Sequence, residues 1–324
     1  MKTFYCDPFV LPLPEGHRFP MEKYGLLRRR VTGQPGIELV VPEPADDRAL
    51  LRVHTPGYVR AVVDGTLDRD RIRRLGFPWS AGLVERSRRS VGGTLGAARA
   101  ALAEGWAANL AGGTHHAFAD RGEGFCVFND VAVAVGALRA DGATGAMSVL
   151  DLDVHQGDGT ASIFRDDPTV RTVSVHGRHN YPFRKVPGDR DLALPDGAGD
   201  APFLDAVDAA LDAALEIGPE LLFYLAGADA FAGDRLGRLA VGREALAERD
   251  RRVFDRCAAR GVPVAVVMGG GYARDVADTV AIHAHSVLEA ARRWAAPHRR
   301  HRRALRTTRS PVPSSPELRP GDAP

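Results

Sequence analysis

Apolar residues along the chain fall into short runs that end in glycine or polar clusters: AANLAGG at 107–113, MSVLDLDVH at 147–155, TVSVH at 172–176, LLFYLAG at 221–227 and VPVAVVMGGG at 262–271. Runs of this length predict buried strands. Between them SVGGTLGAARAALAEG, NDVAVAVGALRADG, PFLDAVDAALDAALEIG and GREALAERDRRVFDRCAARG carry Ala and Leu at helical spacing. Strands alternating with helices predict an α/β fold: a single domain built on a mostly parallel central sheet flanked by helices. In such sheets ligands bind beyond the carboxyl ends of the strands. Four polar clusters stand at that end of an apolar run: GGTHHA after ANLA, DLDVHQGDG after MSVL, GADAFAGD after LFYL and GGGY after VAVVM. Four loops are therefore expected to meet at one pocket.

Composition narrows the classes. With 44% hydrophobic and 26% charged residues and a formal net charge of +2, the 324-residue chain reads as a globular protein whose body lacks the charge of a nucleic-acid binder. Much of the positive excess sits in PHRRHRRALRTTR. The expected division is a catalytic domain over 1–296 and a basic, Pro- and Ser-containing disordered tail over 297–324, making at most weak nucleic-acid contacts. Cys6, Cys126 and Cys257 are odd in number and far apart, which argues against a disulfide framework. The N-terminal MKTFYCDPFVLPLPEG breaks its apolar run with prolines, so neither a signal peptide nor a membrane span is expected, and the cytoplasm is the expected compartment.

The carboxylates of DLDVHQGDG raise the chemical question. A buried carboxylate is costly unless it is paired or bound to a metal. Asp153 and His155 are spaced i, i+2, so on a continuing strand they point the same way and can share a cation; Asp229 in GADAF is the natural third ligand, and such a set with an open position suits zinc. Capping of helices or pairing with arginine is the alternative use of such aspartates. His115 and His116 stand adjacent behind two glycines, and a catalytic pair would need carboxylates to hold the rings. Asp151 and Asp158 are left for that purpose. Tyr272, after three glycines, is either a donor to a developing oxyanion or a rim aromatic. Gly124 and Phe125 in GEGFCVFND suit a narrow apolar wall.

Taken in order, GGTHHAFADRGEGFCVFND, DLDVHQGDG, GADAFAGD and GGGY resemble the zinc-dependent histone deacetylase family of the arginase–deacetylase fold, over about residues 3 to 293. LPEGHRFPMEKY and the HQG of DLDVHQGDG look most like its class IV and related bacterial members. The resemblance implies one zinc ion on Asp153, His155 and Asp229, His116 as general base and acid, His115 as its electrostatic partner and Tyr272 as oxyanion donor. It further implies a substrate channel at Gly124, Phe125, Tyr181 and Gly270, and potassium at Asp151, Asp153, His155, Ser174 and Val175. The implied reaction is removal of an acetyl or longer acyl group from a lysine side chain, in a protein or in a related small acylated amine. Gln156 stands where many class I members carry a second histidine, and HGRHNYPFRKVPGDRD departs from the class I pattern. Two rivals remain. A binuclear manganese ureohydrolase would need a second carboxylate-dense motif of the DxDxxD kind, which GADAFAGD does not supply; a non-catalytic acyl-lysine binding module would be expected to have lost a ligand or the tyrosine.

Overall fold

The computed structural model describes the backbone of residues 1–307 and the side chains of 1–295. Eight strands run β1 (Lys2–Phe4), β2 (Glu38–Val40), β3 (Trp106–Asn109), β4 (Met147–Asp151), β5 (Val170–Gly177), β6 (Arg190–Leu194), β7 (Leu221–Ala226) and β8 (Val264–Met268). They pair in the order β2-β1-β3-β8-β7-β4-β5-β6, every pairing parallel. The helices are α1 (Glu22–Val31), α2 (Asp47–Leu50), α3 (Pro56–Val63), α4 (Arg69–Leu75), α5 (Ala81–Glu104), α6 (Asp130–Ala140), α7 (Asp158–Phe164), α8 (Asp200–Glu216), α9 (Arg243–Arg260) and α10 (Val276–Thr307). Helix α10 carries the backbone past the boundary drawn at 296. Residues 308–324 of the expected tail lie outside the described residues.

Both faces of the sheet are covered, which is why its central strands are apolar without alternation. Along β7, Leu222, Tyr224 and Ala226 face a core shared with α8, α9 and α10, while Leu221, Phe223 and Leu225 face the one shared with α5 and α6. The sequence pattern misses the short strands β1, β2 and β6. They lie at or next to the sheet edges, and β6 reads RDLAL with most of its side chains exposed or half-buried, so it has no apolar run to announce it.

Strand order explains why distant motifs meet. The four polar clusters follow β3, β8, β7 and β4, which are consecutive neighbours in the sheet. Parallel strands put their carboxyl ends on one side, so all four loops emerge together.

Candidate active site

The loop after β3 is pinned before its histidines begin. Asp130, at the start of α6 and fully buried, accepts the Gly113 amide at 3.0 Å and the Thr114 amide at 2.8 Å, and also the hydroxyls of Thr94 at 2.5 Å and Thr114 at 2.6 Å. Gly113 sits at φ 68°, and a Cβ there would lie 2.0 Å from the Met268 carbonyl, so only glycine lets this loop close against the end of β8. His115 and His116 follow, both buried, with ring centroids 4.1 Å apart.

Each ring has its own carboxylate. Asp151 Oδ2 lies 2.7 Å from His115 Nδ1, and Asp158 Oδ1 lies 2.7 Å from His116 Nδ1. Burial opposes a charge on both, but for His115 the negative charges of Asp151 and Asp153 outweigh it and raise the ring to about 9. For His116 burial, reinforced by the neighbouring His115, prevails over Asp158 and lowers the ring to about 4. Burial and the neighbouring charges thus push the two imidazoles in opposite directions.

Asp153, His155 and Asp229 each offer a ligand atom within 4.8 Å of the others. The route to this cluster differs from the expected one. Strand β4 ends at Asp151, so Asp153 and His155 do not share a strand face. Instead the chain turns, with the Asp153 carboxylate accepting the His155 amide at 2.9 Å, and Asp229 accepts the Val154 amide at 2.9 Å. Gly270 completes the cradle: its amide donates to Asp153 Oδ2, and a Cβ on it would lie 1.9 Å from Asp229 Oδ2. Two carboxylates buried to 1% and 0% exposure face one imidazole nitrogen, a donor set that is costly alone and suited to a divalent ion of the zinc type. Ser174 stands opposite Asp151 in the β4–β5 register, with Val175 next to it.

Tyr272 is held through its backbone, whose amide donates to Asp234 at 2.6 Å. Burial keeps its phenol protonated well above the ordinary range, so it remains a donor. Its ring forms part of an aromatic wall with Phe19 at 6.2 Å and Phe125 at 6.1 Å between centroids. These residues, with Gly124, Tyr181 and Gly270, line a cavity of about 380 Å³ that reaches His115, His116, Asp153 and His155. Phe125 adopts φ 67°, and the Tyr181 ring stands edge-on to His116 at 4.9 Å while its hydroxyl donates to Glu123 at 2.9 Å. Gln156 joins the two departures noted in the sequence. Its amide donates to the Val186 carbonyl and the Asp191 carboxylate, each at 2.8 Å, and accepts the Val186 amide at 3.0 Å, clasping the loop that carries Tyr181.

Sequence reasoning missed Phe19, Lys23, Asp130 and Asp234. Asp234 was legible as the second carboxylate of GADAFAGD, and Asp130 as the acid at the head of a helix. Lys23, buried with its ammonium 5.2 to 5.4 Å from the rings of Phe19, Tyr24 and Tyr272, has no local signature. Cys6, Cys126 and Cys257 are unpaired and buried.

A parallel α/β sheet thus gathers two histidine–carboxylate pairs, a buried phenol and an Asp–His–Asp group that could hold a metal ion around one pocket. The chain belongs to the histone deacetylase family: the model of the histone deacetylase domain matches residues 17–288. A protein of Picosynechococcus is 47% identical over 295 residues, 89% of this chain and 97% of that protein. Histone deacetylase 2 of Arabidopsis thaliana is 31% identical over 284 residues, 82% of this chain and 73% of that protein. Among solved structures, a histone deacetylase homologue from Aquifex aeolicus superposes with a TM-score of 0.76 at 24% identity, covering 90% of this chain and 83% of that one, a likeness of fold.

Proposed function

We propose that the protein hydrolyses the amide of an acylated lysine or a related acylated amine, releasing a carboxylate and the free amine. The observation that carries this reading is the pairing of His115 with Asp151 and of His116 with Asp158 beside the Asp153–His155–Asp229 cluster, with His115, His116, Asp153 and His155 lining one aromatic-walled cavity. A single zinc ion is the proposed cofactor, on Asp153, His155 and Asp229, where it would supply Lewis acidity toward water and the acyl carbonyl. The oxygen and nitrogen donors of that cluster, buried and mutually close, support the fit. Potassium is proposed at Asp151, Asp153, His155, Ser174 and Val175, as a structural ion under the same loops.

His116, neutral and backed by Asp158, takes the proton of the attacking water at Nε2 and later gives it to the leaving amine. Charged His115 beside it stabilises the negative charge that builds in the transition state. Tyr272 donates its hydroxyl to the developing oxyanion. Phe19, Phe125 and Tyr181 hold the acylated side chain extended and exclude water. One group of residues that could hold a metal ion occurs among the described residues, which favours a single-ion hydrolase over a binuclear manganese enzyme. The presence of every catalytic group likewise disfavours a non-catalytic reader. Among the described residues no helix is long and apolar enough to cross a membrane. Incubation with an acetyl-lysine peptide, scored for equal amounts of acetate and deacetylated peptide, tests the reading; absence of both products with zinc present rejects it.

A further inference from the structure

The floor of the cavity accounts for bond cleavage, but the chemistry at its mouth is of a different kind. Of the residues lining the cavity, the carboxylate is Asp153 on the floor, whereas Arg18, Arg74 and Arg238 also line it. All three arginines are exposed. They come from separate segments: Arg18 precedes the wall residue Phe19, Arg74 lies in the last turn of α4 beside the Gly124–Phe125 wall, and Arg238 follows the Asp229–Asp234 loop. The Arg74 carbonyl accepts the Gly124 amide at 3.1 Å, so the base of this arginine is fixed to the channel wall.

Local carboxylates pair with one of the three. Arg18 and Arg74 have no ion-pair partner among the described residues. Arg238 pairs with Asp196 at 3.2 Å, which also takes His179 at 3.3 Å. Glu123 is occupied by Arg121 at 2.7 Å and by the Tyr181 hydroxyl at 2.9 Å. Next to these charges Phe183, 83% exposed, stacks its edge on Tyr181 and offers apolar surface outside the channel.

Resting on the acyl-amine hydrolysis proposed above, we propose that this mouth selects an acylated lysine within a peptide whose flanking residues are acidic, and disfavours acylated polyamines. A guanidinium presents a fixed fork of donors to a carboxylate, and three of them from separate segments suit several carboxylates on an extended chain. A polyamine entering the same channel brings further ammonium groups toward three arginines, where the nearby acids Asp196 and Glu123 are already engaged by Arg238, His179, Arg121 and Tyr181. Such selectivity acts over about one Debye length, roughly 10 Å at 0.1 M salt, so it weakens as salt is added.

The test compares kcat/KM of the zinc-loaded full chain on peptides with one acetyl-lysine flanked by Asp and Glu, by Ser and Gly, or by Lys and Arg, together with free Nε-acetyl-lysine and N-acetylspermidine. The acidic peptide should exceed the basic one and N-acetylspermidine by at least threefold, on the order of tenfold at low salt. That ratio should shrink toward one in 1 M salt and in Arg18→Glu/Arg74→Glu. If free Nε-acetyl-lysine matches the acidic peptide, a single nearby carboxylate suffices and the peptide assignment is overturned. A ratio below threefold with all substrates turned over overturns the mouth selectivity and leaves the hydrolase reading standing, whereas no turnover of any substrate sinks the hydrolase reading itself.

Discussion

Asp158 Oδ1 lies 2.7 Å from Nδ1 of His116, which leaves Nε2 as the nitrogen turned to the cavity that His116 lines. The carboxylate therefore fixes both the tilt of the ring and the nitrogen that carries its proton. In Asp158→Ala the ring loses both constraints. Turnover should fall about 10²-fold with little change in KM, because in the proposed reaction the group acts on proton transfer and not on substrate packing. Steady-state kinetics on an acetyl-lysine peptide measure this; a loss under threefold would mean that Asp158 merely fills space.

Tyr272→Phe keeps the ring in its wall with Phe19 and Phe125 and removes only the hydroxyl. Turnover is expected to drop by about 10²–10³, the usual loss for one preorganised donor at a developing oxyanion. Binding of a substrate analogue should change far less. Turnover within about twofold of the parent would make the tyrosine a packing residue.

How far the sequence carries toward this site depends on the kind of residue. Asp153, His155, Asp229, His115 and His116 were legible because charged groups at the ends of apolar runs are hard to account for otherwise. The convergence of Asp153 and His155 was expected for the wrong local reason: a turn closed by the Asp153 carboxylate brings them together, and a strand face does not. The central strands were legible because they are buried on both faces, while edge strands such as β6 lack that signal. Asp130 escaped notice because its work is purely geometric, collecting backbone amides from a loop 16 and 17 residues away, which no local spacing encodes.

That geometric work can be measured. Asp130→Ala removes a buried acceptor and leaves the Gly113 and Thr114 amides without it. Destabilisation of about 3 kcal/mol or more is expected, since buried charge-assisted bonds are lost and their donors are stranded. Urea unfolding gives the value; a change under about 1 kcal/mol would show that the loop holds itself.

His54 supplies a pH dependence remote from the two histidine–carboxylate pairs of the pocket. The Asn129 amide donates to its Nε2 at 3.0 Å, so the ring proton sits on Nδ1 and is donated to the Phe118 carbonyl at 3.0 Å. Burial lowers this ring from 6.5 to about 4. Its folded value lies below its unfolded one, so the stabilisation is complete above about pH 6.5 and is lost as pH falls toward about 4. The contribution is on the order of 3 kcal/mol. Thermal or urea unfolding across this window should show a shallower acid loss for His54→Gln than for the parent chain. Parallel curves would mean that the buried ring is not the group responsible.

The most direct measurement of the central claim couples metal content to amide hydrolysis in one sample. The protein is stripped by chelation, assayed on an acetyl-lysine peptide for acetate and deacetylated peptide, then titrated with zinc while bound metal is counted. The account predicts negligible turnover in the stripped protein, recovery that saturates at about one zinc per chain, and neither tight zinc binding nor turnover in Asp229→Ala, because two remaining ligands do not hold the ion against water. Full turnover after stripping, or in Asp229→Ala, would contradict it.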